Sequence, residues 1–114
     1  MDIKSLEEYI KAFFGYKSKC IVVNNEEYSI DVTLYDSFVV TFGFNKADSL
    51  FYGNLHLPYG FTSSYFLGYN CKNIKNTEAN IKNALEKVDD FCRTRLTPSF
   101  ISYYDDSFSS NSSL

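Results

Sequence analysis

Apolar residues recur with a helical period at the start of the chain and then switch to a period of two. Over residues 2–14, Ile3, Leu6, Ile10 and Phe13 fall on one stripe with Tyr9 beside it, which predicts a helix with one apolar face. Ser5 and Glu8 fit a capping box, Asp2 is a competing cap a turn earlier, and Gly15 is a natural stop. A stripe of this width predicts a helix packed on a sheet.

Alternation takes over in residues 19–44. Tyr28, Ile30, Val32 and Leu34 alternate with Ser29, Asp31, Thr33 and Tyr35, as in a strand with one buried and one wet face. Cys20-Ile21-Val22-Val23 precedes it across the turn signal Asn24-Asn25, and Phe38, Val40, Phe42 and Phe44 follow Asp36-Ser37. Three strands of an antiparallel meander are predicted, the third central and covered on both faces because Val39 and Thr41 occupy its second side. Residues 50–57 resume as a strand in which Gly53 marks a bulge or a close backbone approach, and Pro58-Tyr59-Gly60 closes it. Residues 61–69 read as a strand or an ordered aromatic loop around Gly68.

A second helix starts at a cap on Asn76 or Thr77 with Glu78 in its first turn. Ile81, Ala84, Leu85, Val88, Phe91 and Cys92 form its apolar face, while Lys82–Glu86 and Asp89–Arg93 are expected as i,i+4 pairs on the wet face. Pro98 limits its extension, and Ser99–Tyr104 fits one more edge strand. Residues 107–114 turn Ser/Asn-rich and are expected to be a mobile tail. The fold expected is α+β: an N-terminal helix, an antiparallel sheet of four to five strands, and a C-terminal helix packed on the sheet in two layers. It forms a single domain over residues 1–106.

Composition narrows the function classes. The net charge of −3 disfavours a phosphate-backbone binder, which carries a basic stripe. A single-stranded nucleic-acid reader would need a cationic groove beside its aromatics, and 11 basic residues face 14 acidic ones. No apolar run is long enough to span a membrane, and Met1-Asp2-Ile3-Lys4-Ser5 does not open a signal peptide, so a cytoplasmic protein is expected. Nine Lys against two Arg, with abundant Asn, Ile, Phe and Tyr, fit AT-rich codons and a low-GC bacterium, or a phage or plasmid within one.

Candidate chemistry is sparse. His56, the single imidazole, alternates with Leu55 and Leu57 and reads as a solvent-side strand residue. A cysteine-dependent enzyme would pair it with Cys71, the least core-like of three thiols, while Cys20 and Cys92 fall on apolar faces and read as small hydrophobes. Three Cys and one His without a C-x₂-C pair do not read as a zinc site, and no glycine run forms a phosphate loop, so neither metal nor cofactor is expected.

The aromatics speak for binding. Ten Tyr and eleven Phe without Trp exceed what one small core absorbs, and Tyr52, Tyr59, Tyr65, Tyr69, Tyr103 and Tyr104 fall in or near turns. Acidic doublets recur at Glu7-Glu8, Glu26-Glu27, Asp89-Asp90 and Asp105-Asp106, and the last two are expected to converge into a patch that steers the chain onto a basic partner. The expected function is a small non-catalytic inhibitor that masks a surface of another macromolecule, in the format of phage anti-defence, immunity or antitoxin proteins. Tyr65, Tyr69, Asp89, Asp90, Tyr103 and Tyr104 form its expected partner-binding site. The alternative is a homo-oligomeric chaperone-like or structural module, with a homodimer seam made by the same aromatics.

Overall fold

The computed structural model describes residues 1–109. Helix α1 (Ile3–Phe14) leads into strands β1 (Ser18–Asn24), β2 (Ser29–Leu34), β3 (Phe38–Phe44) and β4 (Phe51–His56). Short strands β5 (Thr62–Ser63), β6 (Tyr65–Phe66) and β7 (Tyr69–Asn70) follow, then helices α2 (Glu78–Arg95) and α3 (Pro98–Tyr104) and a π-helical turn (Asp105–Ser109). The first five strands form one antiparallel sheet in chain order, and β6–β7 is a separate hairpin. The α+β order of helix, sheet and helix is the one that periodicity predicts.

One face of the sheet makes the core. Ile30, Val32, Leu34, Val40, Phe42, Phe44, Phe51 and Leu55 are buried there by the period of two. Against them α1 sets Leu6, Ile10 and Phe14, and α2 sets all six residues of its predicted face. Each wholly buried aliphatic or aromatic side chain here stabilises the fold by about 1.5–3 kcal/mol. Phe14, Phe42 and Phe51 form a stacked aromatic row with ring centroids 6.3 and 6.0 Å apart.

Caps settle the local alternatives. Asp2 is the cap of α1, accepting from the Ser5 backbone N–H at 2.8 Å, so Ser5 lies within the first turn. Thr77 caps α2, while Asn76 holds the Met1 amino group and carbonyl. Gly53 is a close approach and not a bulge: a Cβ there would stand 2.9 Å from Cys71 Sγ.

Three expectations are corrected. The second face of β3 is not covered along its length: Val39 is exposed and Thr41 only half-buried. Residues 98–104 are a helix and not an edge strand, since Thr97 accepts from the Phe100 N–H and Pro98 pre-sets the first helical turn. Cys20 is exposed, at φ 54°, in a β-bulge between Lys19 and Val22 that turns it off the apolar face. Of the expected tail, residues 107–109 belong to the π-helical turn and residues 110–114 lie outside the described residues.

Candidate functional site: an apolar cleft beside α2

The two flanks of α2 carry different chemistry. On the first, Asp89 accepts a hydrogen bond of 2.5 Å from the Tyr35 hydroxyl and pairs with Lys17 at 3.5 Å. Arg93 donates to that same hydroxyl at 3.1 Å and to Asp105 at 3.2 Å, and Tyr16 donates to the other Asp105 oxygen at 2.8 Å. Tyr35 is wholly buried at φ 54°, and burial followed by its bond to Asp89 pushes its phenol well above the usual range. Burial raises Asp105, but the hydrogen bonds from Tyr16 and Arg93 outweigh it and hold the carboxyl below its ordinary 3.8. The bond to Tyr35 and the contacts with Asp105 push Arg93 upward against a burial penalty. Two carboxylates and two cations close on one another. The expected pairing of Asp89 with Arg93 runs through Tyr35, on a half-buried flank, and no negative patch forms from Asp89 and Asp105.

On the second flank, Phe91 is buried edge-on against Phe38 and Phe66, with centroids 6.0 and 5.2 Å apart. Above it opens a cleft of about 410 Å³, lined by Phe38, Leu55, Leu57, Tyr65 and Phe91 with Ser37, Ser63, His56 and Arg95 at its margin. The volume lies in the range of ligand and side-chain pockets. The Arg95 guanidinium lies 4.2 Å over the Phe91 ring, a cation–π contact, and makes no ion pair among the described residues.

The stretch from Leu57 to Leu67 extends the apolar surface past the cleft. Tyr59 is 96% exposed, Phe61 68% and Leu67 52%. Tyr59 and Leu67 both have left-handed backbones, at φ 64° and 51°, where bulky residues are rare. Leu67 and Gly68 form the two-residue loop of the β6–β7 hairpin with both φ positive, a turn that favours Asn-Gly. A large side chain held outward in a strained turn is a sign of function.

His56 stands at the cleft margin on the open face of the sheet. Thr41 donates to Asp31 at 2.5 Å and lies 2.6 Å from His56 Nε2. The carboxylate can only accept, so the threonine hydroxyl gives its proton to Asp31 and accepts from His56 Nε2–H. This arrangement does not make Thr41 a nucleophile. Cys71 lies on the buried side of β4 beneath Gly53, and burial lifts its thiol to about 12. His56 is on the other face, so the two form no dyad. Cys92 is likewise buried, its thiol pushed up to about 12. Among the described residues no group of three His, Cys, Asp or Glu side chains converges.

Of the six residues expected to form the site, Tyr65 alone lines the cleft. Tyr69 is half-buried. Tyr103 is exposed on α3, and Asp90 on the solvent side of α2. Tyr104 is 1% exposed: its ring packs on Tyr35 and Tyr16, and burial takes its phenol to about 12. The helix over 98–104 turns it inward, and it is a core residue. Sequence reasoning missed Phe61, Leu67 and Arg95; for Leu67 the available signal was a bulky residue directly before a glycine in a turn, as also at Tyr59-Gly60, and for Phe61 and Arg95 there was none.

No family model, curated protein or solved structure matches this chain. No helix among the described residues is long and apolar enough to cross a membrane.

Proposed function

We propose that this chain is a non-catalytic binding module that docks onto another macromolecule and masks part of its surface, the role of an anti-defence, immunity or antitoxin-like inhibitor. The observation that carries the reading is the exposed apolar stretch from Leu57 to Leu67, continuous with the cleft over Phe91. Central aromatic and leucine anchors beside a pocket are the usual energetic centre of an interface. Asp90 and Asp106 are exposed carboxylates outside the cleft, available to a partner with a basic surface.

The test compares the wild type with a triple variant, Tyr59→Ser, Phe61→Ser and Leu67→Ser, each immobilised and exposed to lysate of the source cell. The expected outcome is a stoichiometric partner held by the wild type and released by the triple variant, with the variant's melting temperature undiminished. Equal retention by both proteins, or no retained partner on the wild type, defeats the reading. Light scattering over a concentration series addresses the homo-oligomeric alternative, which requires a dimer that the triple substitution dissociates.

A further inference from the structure

We infer that the cleft receives an acidic–apolar segment of a partner polypeptide, an aromatic or leucine side chain entering over Phe91 with a neighbouring carboxylate on Arg95. The inference rests on the binding role proposed above and adds the chemistry of the partner.

Of the eleven Lys and Arg, Lys11, Lys17, Lys19, Lys46 and Arg93 have a carboxylate within 3.6 Å. The other six form no ion pair among the described residues, and of these Arg95 alone lines the cleft. No Asp or Glu lines the cleft at all. A guanidinium over a ring face keeps its N–H fork free at its edge, and that fork matches a carboxylate in two parallel bonds. His56, held through Nε2 by Thr41 and Asp31, also lines the cleft. The cleft therefore offers an apolar floor and a two-pronged donor. A peptide segment with an apolar anchor and a flanking Asp or Glu supplies both complements.

Other occupants fit less of the surface. A metabolite filling the cavity leaves Tyr59, Phe61 and Leu67 uncovered. A nucleic-acid strand needs several phosphate-neutralising cations, and the cleft lining has one.

The probe is a random dodecapeptide display library panned on the wild type, on Arg95→Glu and on Tyr65→Ser. The wild type is expected to enrich peptides in which Asp or Glu lies beside Phe, Leu or Trp. Arg95→Glu should weaken those peptides by about tenfold or more, and by less as salt rises. Arg95→Lys, which keeps the charge but loses the fork, should retain part of the affinity. Circular dichroism of each variant confirms folding, which the exposed position of Arg95 at the end of α2 favours. Enrichment of basic or uncharged peptides overturns the inference, as do equal affinity for Arg95→Glu and the absence of any enrichment. If the triple variant described above still loses its captured partner in those cases, the binding role survives and only the partner chemistry falls. A dimer that selected peptides do not dissociate assigns the cleft to a second copy and overturns the inference as well.

Discussion

Asp89 and Arg93 stand one turn apart on one flank of α2, Phe91 and Arg95 one turn apart on the other, and the two arginines meet opposite fates. Arg93 is enclosed by Tyr35 and Asp105. Arg95 lies over an aromatic ring at the mouth of an open cleft. The first flank satisfies every charge it contains and binds α3 and the following turn to the body of the fold. The second leaves a cation and a row of large apolar side chains uncommitted. Each flank carries an arginine, and the letters alone do not tell the two apart. What separates them is which neighbours the chain brings back: Tyr35, a buried turn residue, closes the first, while the exposed turns from Leu57 to Leu67 border the second.

Removal of Tyr104 should have the largest effect. Tyr104→Ala empties a site that is 1% exposed and should cost about 3 kcal/mol, read as a fall in the chemical-denaturation midpoint. Tyr65→Ala, at a side chain 58% exposed, should change stability by about 0.5 kcal/mol or less while weakening capture of the partner. If the two substitutions destabilise equally, the division between a structural and a binding flank fails.

A smaller effect of opposite sign is expected at the β6–β7 turn. Leu67→Asn places a residue that tolerates φ 51° where Leu is strained, and should raise stability by about 1 kcal/mol while reducing capture. Unchanged capture with raised stability would show that the strain serves no contact.

The smallest effect separates the flanks by pH. The Asp105 carboxyl is held below its ordinary 3.8, so it stabilises the fold above the unfolded-state value, and that contribution is lost as pH falls through the lowered native value. Arg93→Gln should cost about 1 kcal/mol or less near neutrality, given that the pair is one-third exposed. The gap between wild type and variant should close as acid protonates Asp105. Arg95→Gln, lacking a carboxylate partner, should show no such convergence. Parallel acid-denaturation curves for Arg93→Gln and wild type would refute the assignment.

Much of the architecture is legible in the letters. The apolar face of α2 is buried residue for residue, because an 18-residue helix gives the period five turns in which to declare itself. The meander is equally plain where Ile30, Val32 and Leu34 alternate with polar residues. Short elements are not: α3 has seven residues, too few for periodicity to outweigh the β-like run Phe100-Ile101-Ser102-Tyr103-Tyr104, and the signal that decided it was the pair Thr97-Pro98. The site was half legible. Surplus aromatics announced an exposed cluster, but Tyr104 and Tyr65 look alike in sequence, and only a long-range contact such as that between Tyr104 and Tyr35 tells them apart. The doublet Asp89-Asp90 splits for the same reason, one carboxylate facing Tyr35 and the next facing water.

The outermost strands of the main sheet carry one more consequence. β1 is kinked by the bulge at Cys20, and β5 is only two residues long. Neither rim is a good template for lengthening the sheet with a foreign backbone. Under the binding role proposed above, recognition would run through individual side chains, and a surface of that kind is open to evasion: one substitution in the opposing chain would undo it, whereas a ladder of main-chain bonds would tolerate the change.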